Sequence, residues 1–287
     1  MNRLSFLHHI RRCTAWDPAD HLPFVIADRS IGLVRRAFAA PLADRVDLFE
    51  RTGDALVLHP RYDDFEARTE ALAAAVDHLR AHHAMAPPRG EPFPVVDRWG
   101  AAPLAKIDRT ATNAFGLISF GQHVNGMATD AEGALHLWIG RRADDRRVAP
   151  GKYDNLIAGG LPYGLTLAEN LAKEAEEEAA FGADLVALAR PVGAISYRMS
   201  VPEGLRRDVL FCYDLPVPAG VEPRNADGEV AEFRLWPLEE VAEALAAGDG
   251  FKFNVALVIL DFMIRHGALG PDHPEYLDLL AGFHGAA

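Results

Sequence analysis

Residues 159–182 read GGLPYGLTLAENLAKEAEEEAAFG, and this stretch decides both the fold and the chemistry that the sequence predicts. Thr166 followed by Glu169 is a capping-box pattern, which indicates the start of a helix, and Gly182 is a natural helix stop. Apolar side chains recur between these ends at helical spacing and would form a buried stripe. The stretch therefore predicts one amphipathic helix that follows a tight glycine loop.

Three glutamates, Glu174, Glu177 and Glu178, share one face of this predicted helix because they stand three and four residues apart. Each like-charge pair at that spacing destabilises a helix by roughly 0.2–0.5 kcal/mol, and the helix dipole disfavours negative charge in the C-terminal half. A bound divalent cation would compensate both effects. Carboxylate oxygens suit Mg²⁺ or Mn²⁺, and the tight glycine loop would let the Gly160 carbonyl join them as a ligand.

A metal ion on this helix would bind a diphosphate, because metal ions neutralise phosphoryl oxygens and activate water for attack on phosphorus. A glutamate that does not bind the metal would act as general base. By itself, a run such as KEAEEE is more often a solvated acidic face of a helix. The double glycine, the helix cap and the strands that follow favour the metal–diphosphate site.

The composition of the chain excludes several other classes of function. The 287 residues include 29 Lys and Arg against 41 Asp and Glu, whereas binding to nucleic acid or to an anionic membrane favours excess positive charge. Cys13 and Cys212 stand far apart, which excludes a disulfide framework and a cysteine-rich zinc site. Reduced cysteines and the lack of an apolar leader predict a cytoplasmic protein. The sequence shows no HExxH, GxSxG, phosphate-loop or dinucleotide motif, so those hydrolase and nucleotide-binding classes lack their residues.

The pattern of elements predicts two domains of the α/β class. Residues 1–110 read as a small α+β accessory domain that contains a helix over 65–83, and a further helical stretch over 103–115 leads out of it. Residues 111–287 read as strands, the glutamate helix, more strands and closing helices. This second pattern predicts an α/β/α sandwich with a mixed sheet.

The glutamate segment resembles the Nudix box, whose pattern is G-x5-E-x7-R-E-U-x-E-E-x-G-U with U a bulky aliphatic residue. The three helix glutamates take the positions of the metal-binding glutamates, and Lys173 takes the position of the arginine that orients Glu174. Leu165 and Ala180 stand where the pattern has an early glutamate and a late glycine. A lysine cannot form the two-pronged contact of an arginine, so we expect a looser hold on Glu174.

Further strings are similar to the Nudix hydrolases related to the domain fused to fungal thiamine pyrophosphokinases, in which an AGG-x-x-x-G-L-[ST] loop and an EEA ending are usual. The strings are FGQHVNG (120–126), PGKYDNLIAGG (150–160), ISYR (195–198), YDL (213–215), DGEVAEF (227–233), FKFN (251–254) and DFMIRHG (261–267), and the N-terminal third adds FVIADRSIGLVRR (24–36). The resemblance implies a Nudix sandwich and Mg²⁺ dependence. It also implies hydrolysis of thiamine diphosphate, or of its oxy and oxo forms, to the monophosphate and phosphate.

Several residues outside the helix are further candidates for the site. Glu229 follows Asp227 and Gly228 in a predicted turn, where Nudix enzymes place another glutamate as metal ligand or base; an exposed turn carboxylate is the alternative. The candidates for substrate binding are Arg141, His123, Asn125 and Lys252. The histidine and asparagine would share a strand face, and the lysine would meet phosphate as a point charge.

Structural, solvated or helix-capping roles are the alternatives for one of these candidates and for nearby residues. A structural role is an equal alternative for His123, and His266 is predicted to be structural. Arg142 is predicted to lie at a solvated strand end, and Asn254 to cap the N-terminus of a helix.

The sequence thus predicts a diphosphate hydrolase in which Glu178, Glu174, Lys173 and Glu229 are the candidate catalytic residues. Its partner would be a small-molecule diphosphate, with no nucleic acid and no membrane, and a homodimer stays open. One alternative is a Nudix hydrolase of another diphosphate, such as ADP-ribose or a nucleotide sugar. The other is a Nudix-fold binding module that no longer hydrolyses.

Overall fold

The computed structural model describes residues 4–284, and its N-terminal part is built on a small mixed sheet. The elements follow in the order α1 (Leu7–Cys13), β1 (His21–Ile26), β2 (Arg29–Arg35), α2 (Arg36–Ala43), β3 (Phe49–Thr52), β4 (Ala55–Leu58), α3 (Phe65–His82), β5 (Pro92–Val95) and β6 (Ala105–Asp108). The sheet has the order β2-β1-β4-β3, and β5 pairs with β6 in a separate antiparallel ribbon. One face of α3 is buried in this core, so the helix predicted over 65–83 is confirmed.

The helical stretch predicted over 103–115 is wrong. The chain there forms β6 and then two 3₁₀ turns, at residues 109–111 and 113–115. Ala105 and Ile107 are buried while the residues between and after them are half-exposed, which is the two-residue period of a strand. The Asp108 side chain then accepts a hydrogen bond from the Thr110 N–H at 2.9 Å, which favours a turn over a continued strand.

The C-terminal part is an α/β/α sandwich around a larger mixed sheet. Its elements are β7 (Ile118–Thr129), β8 (Leu135–Arg142), β9 (Tyr153–Asp154), β10 (Ile157–Gly160), α4 (Leu167–Ala179), α5 (Ala183–Val186), β11 (Arg190–Val201), β12 (Gly204–Pro216), β13 (Val230–Pro237), α6 (Leu238–Ala246), α7 (Val255–Arg265) and α8 (Tyr276–Gly282). The strand order is β11-β12-β7-β8-β13, with β10 paired to β7 and β9 to β8. Strands β7 and β12 run parallel, which makes the sheet mixed, as predicted.

Helices cover both faces of the larger sheet. Leu171 and Ala175 of α4 pack against Val124 on one face, whereas α6 and α7 pack against Ile139 and Cys212 on the other. Helix α1 packs into this second core beside α7 and α8, although it lies at the start of the chain. The predicted boundary after residue 110 stays a prediction. Within residues 4–284 no helix combines the length and the apolar character that a bilayer crossing requires.

Helix α4 begins as predicted and ends two residues early. The Thr166 hydroxyl accepts from the Glu169 N–H at 3.2 Å, and the Glu169 carboxylate accepts from the Thr166 N–H at 2.9 Å. The predicted stop at Gly182 is wrong, because Ala180 already leaves the helix in the left-handed conformation, with φ of 56°. This conformation is unfavourable for a residue with a Cβ atom.

Candidate active site

A cavity of about 290 Å³ lies where α4, β10 and residues 89–113 of the N-terminal part meet. Most of the predicted site residues line it: Gly160, Lys173, Glu174, Glu177, Glu178, His123, Glu229 and Lys252. The glutamate helix and the distant candidates therefore come together in one place. Two groups face each other there: a carboxylate wall of Glu174, Glu177 and Glu178, and a cationic wall of Arg142 and Lys252 with Asp154 behind them.

Glu178 is the most buried member of the carboxylate wall, with 7% of its surface exposed. Burial, together with the negative charge of Glu174, raises the pKa of its carboxyl to about 8. One oxygen accepts a hydrogen bond from the Ala158 N–H at 2.8 Å, and Lys252 also favours the ionised form. Because β10 presents this N–H to the helix and not to β7, the edge of the sheet fixes the position of the carboxylate.

Glu174 lies against the glycine loop. A Cβ atom built on Gly159 would stand 2.2 Å from the Glu174 Cδ atom, so glycine is required here for the carboxylate to fit. Burial raises the pKa of the Glu174 carboxyl, while Lys173 and Arg109 lower it. Lys173 Nζ lies 3.3 Å from Glu174 Oε1 and 2.7 Å from Glu177 Oε2, so the lysine holds both carboxylates instead of Glu174 alone.

The carboxylate wall offers the oxygen donors that divalent cations prefer, although its oxygens do not converge on one point. Within residues 4–284 no group of three or more His, Cys, Asp or Glu side chains is arranged to hold a metal ion. The carboxylates contact separate partners instead: Glu177 accepts from Lys173, and Glu178 accepts from the Ala158 N–H. Burial disfavours the ionised form of Glu178, so a cation beside hard oxygen donors would stabilise it. Gly160 lines the same cavity, and its carbonyl accepts a hydrogen bond from the buried Asn170 amide at 3.0 Å.

The cationic wall is assembled from three separate segments of the chain. Asp154 is buried and lies 2.8 Å from Arg142 Nη1 and 3.1 Å from Lys252 Nζ. Burial opposes the ionisation of Asp154, but these two cations hold the pKa of its carboxyl below the usual value. Burial in turn lowers the pKa of Lys252. Two cations against one carboxylate leave one positive charge that faces the cavity.

His123 adjoins the cationic wall as a neutral ring. Burial, followed by the charge of Lys252, lowers its pKa to about 4. Its Nδ1 atom lies 2.8 Å from Asn155 Oδ1, so the ring is held in place by a buried amide. Glu229, on the far side of the cavity, forms an ion pair with Arg146, and the catalytic role predicted for it stays a prediction.

Two predicted substrate-binding residues lie outside the cavity lining. Arg141 points away and pairs with Asp144 at 2.8 Å, while the adjacent Arg142, predicted to be solvated, occupies the inner position. Consecutive strand residues point to opposite faces, so only Arg142 lines the cavity, and the solvated position predicted for it is wrong. The substrate-binding role predicted for Arg141 stays a prediction. Asn125 shares a face with His123 as predicted, but it is buried in hydrogen bonds to Asp214 and Asn155.

The structure contradicts the prediction for Asn254 and agrees with the prediction for His266. Asn254 stands at the start of α7 but forms no side-chain cap, and it lines the cavity with 3% of its surface exposed. Within the described residues its amide oxygen has no hydrogen-bond partner. His266 contacts Asp214 at 2.9 Å, outside the cavity, which agrees with the structural role predicted for it.

Sequence reasoning missed Asp154 and Arg109. Asp154 lies in PGKYDNLIAGG, which carries the family resemblance without indicating a role for this residue, and its two cations come from residues 142 and 252. Arg109 lies in the stretch wrongly predicted to be helical. Neither residue belongs to a periodic pattern, so no spacing in the sequence indicates either one.

Two family profiles match this chain, one in each of its two parts. A family profile described as "NUDIX domain" matches residues 120–255, and one described as "Domain of unknown function (DUF4743)" matches residues 5–119. Nudix hydrolase 24, chloroplastic, of Arabidopsis thaliana is 39% identical over 279 residues, which cover 96% of this chain and 76% of the relative. Nudix hydrolase 20, chloroplastic, of the same plant is 35% identical over 286 residues, with the same coverage of 96% and 76%. The crystal structure of DR0079 from Deinococcus radiodurans is 21% identical and covers 60% of this chain and 98% of that one, with a TM-score of 0.46.

Proposed function

The chain belongs to the Nudix hydrolase family, and from that premise we propose that it hydrolyses thiamine diphosphate, or the oxidised oxy and oxo forms of that compound. It is a Nudix-type hydrolase of a diphosphate joined to another group, and the identity of that group is what we propose. The reaction consumes one water and releases the monophosphate and phosphate. The observation that carries the diphosphate chemistry is the meeting of the carboxylate wall and the cationic wall in one cavity.

The thiamine part of the proposal rests on the resemblance of several strings, and residues from those strings also line the cavity. Those strings supply much of the cavity lining: His123 comes from FGQHVNG, Gly160 from the glycine loop, Glu229 from DGEVAEF, and Lys252 with Asn254 from FKFN. Residues that bind a substrate are expected at such positions, since the fold alone does not require polar groups to converge there.

In the proposed mechanism the carboxylate wall would hold Mg²⁺ or Mn²⁺ with the help of the Gly160 carbonyl. The cation, when bound, neutralises charge on the phosphoryl oxygens and lowers the pKa of water. Lys173 positions Glu174 and Glu177 through the contacts described above. Glu178 is the candidate base for the attacking water: burial raises the pKa of its carboxyl, and a cation at the carboxylate wall would favour the ionised form that accepts the proton.

The cationic wall has the complementary task in this mechanism. Lys252 and Arg142 bind phosphate oxygens, and Asp154 keeps both side chains in place without neutralising them fully. His123 stays neutral at physiological pH, so it contributes hydrogen bonding and no charge.

Incubation of the protein and Mg²⁺ with a mixed panel of diphosphates, read by mass spectrometry, tests the proposal. The panel contains thiamine, oxythiamine and oxothiamine diphosphates, ADP-ribose and a nucleotide sugar. We expect preferential loss of a thiamine-type diphosphate with release of its monophosphate. Preferential cleavage of ADP-ribose or the sugar would keep the diphosphate chemistry and overturn the thiamine assignment. Cleavage of no member would contradict the proposed function as a whole.

A further inference from the structure

The N-terminal part forms one side of the cavity, although it lies outside the residues matched by the Nudix profile. That profile begins at residue 120, whereas Arg89, Glu91, Phe93, Arg109 and Asn113 line the same cavity as the carboxylate wall. They come from the segment that leads into the β5–β6 ribbon, from the ribbon itself and from the turns that follow it. The cavity is therefore completed by residues outside the stretch that the Nudix profile matches.

Arg109 is the residue of this region that is held most firmly over the site. Its Nη1 atom lies 3.0 Å from Glu91 Oε2, and its backbone N–H donates to the Glu91 carbonyl at 2.9 Å. The guanidinium also lies over the Phe93 ring, 5.5 Å from the ring centroid. A guanidinium that stacks on one face and uses one edge for a carboxylate keeps its other N–H donors free in a fixed direction.

The position of Gly160 shows how close Arg109 lies to the metal-binding loop. A Cβ atom built on Gly160 would stand 2.7 Å from the Phe93 ring and 3.3 Å from the Arg109 Cζ atom. The two glycines of the loop are thus required by opposite sides of the cavity: Gly159 by Glu174, and Gly160 by the N-terminal part. Arg109 thus lies beside the glycine loop, in the same cavity as the carboxylate wall, and close enough to Glu174 to lower the pKa of its carboxyl.

We propose that Arg109 is a substrate-binding residue that donates hydrogen bonds to phosphate oxygens of the diphosphate, and that the N-terminal part is thereby an integral part of the active site. The proposal rests on the proposed diphosphate chemistry but does not depend on thiamine as the attached group. The arginine fork matches two phosphate oxygens, and Glu91 pairs with the same guanidinium until an anion arrives. Loss of Glu91 therefore has the opposite effect on anion binding from loss of Arg109.

Two variants that break the same ion pair separate this role from a structural one. Arg109→Gln and Glu91→Gln both remove the contact between the two side chains, so both shift the melting temperature in the same direction. Isothermal titration of the full chain with imidodiphosphate, a diphosphate that resists hydrolysis, in the presence of Mg²⁺ gives the dissociation constant for each. Arg51→Gln is the matched control, because it removes an exposed arginine of β3 that does not line the cavity.

We expect Arg109→Gln to weaken imidodiphosphate binding about tenfold to a hundredfold, the range for hydrogen bonds to charged groups, and Arg51→Gln to leave it unchanged. Glu91→Gln should tighten binding a few-fold. Equal weakening by the Arg109 and Glu91 variants would show that the pair only supports the ribbon, and would overturn the proposal. Unaltered binding by Arg109→Gln would overturn it as well. If the unmodified protein does not bind imidodiphosphate, the proposed diphosphate function falls first.

Discussion

The carboxylate wall and the cationic wall face the same cavity but originate in opposite ways. The three glutamates lie within five consecutive residues of α4, so the helical period alone brings them to one face. Asp154 and Lys252 of the cationic wall are separated by 98 residues and meet because β9 pairs with the segment just before α7, through Tyr153 and Phe251. A local period is visible in a sequence, whereas a contact made by sheet packing is not.

The two walls also differ in how their charges are balanced. The cations of the cationic wall share the buried carboxylate of Asp154. Among the described residues, the direct contacts of the carboxylate wall are one half-exposed lysine and one backbone N–H for three glutamates, while Lys252 and Arg109 act on it through charge alone. The carboxylate wall is therefore less fully paired than the cationic wall, and a divalent cation there would stabilise the protein.

The largest expected effect comes from the most buried member of the carboxylate wall. Glu178→Gln keeps the shape of the side chain and removes its negative charge, so we expect turnover to fall at least about 100-fold. The turnover number on the diphosphate that the protein cleaves measures this effect. A variant that retained full turnover would contradict the role assigned to Glu178.

The stability of the same variant without metal is its control. Because the folded-state pKa of Glu178 is raised, its favourable contribution is present below the ordinary value of 4.5 and is lost as the pH rises through about 8. Glutamine does not titrate, so the variant should gain in free energy of unfolding relative to the wild type between pH 5 and pH 8. Denaturant titrations across this range would show whether the fold is intact and whether the sign is as expected.

A substitution in the cationic wall tests how much Lys252 stabilises the buried negative charge of Asp154. Lys252→Met retains the apolar stem but leaves Asp154 with Arg142 alone, so we expect the free energy of unfolding to fall by about 2 kcal/mol, less than for a carboxylate left without any partner. Lys152→Met is the matched control, since its partner Asp249 is exposed and the change should cost less than about 1 kcal/mol. Equal losses of unfolding free energy in the two variants would contradict the expectation that the buried ion pair contributes more than the exposed one.

The glycine loop offers a smaller change at the carboxylate wall. Gly159→Ala places a methyl group 2.2 Å from Glu174 Cδ, which forces the carboxylate to move, and we expect kcat/KM to fall about tenfold. Gly182→Ala is the control, because a Cβ atom there meets no heavy atom within 4 Å. If both variants kept the activity of the wild type, the close fit of Glu174 against the loop would have no catalytic importance.

The same contrast explains which parts of the site the sequence could predict. The helix start at Thr166 and the common face of the glutamates follow from local spacing, and the structure shows both. The choice between Arg141 and Arg142 could not be made, since β8 ends with polar residues on both faces and the buried partner of Arg142, Asp154, comes from a separate segment. The position of Arg109 could not be predicted for a related reason. The alternation of buried and half-exposed residues in β6 covers only four residues, which is too short to outweigh a helical pattern.

The smallest expected effect lies at the end of α4, where an alanine occupies a left-handed position that usually takes glycine. Ala180 adopts φ of 56°, a conformation that glycine reaches without a steric penalty, and its N–H closes the helix onto the Ala175 and Glu176 carbonyls. Ala180→Gly should therefore raise the free energy of unfolding by about 0.5–1 kcal/mol, because relief of strain exceeds the extra entropy of the unfolded chain. Thermal unfolding would detect the gain, and turnover should not change, since Ala180 does not line the cavity. A loss of stability would mean that the alanine methyl group packs favourably there, and that the end of the carboxylate wall depends on tertiary contacts as much as the cationic wall does.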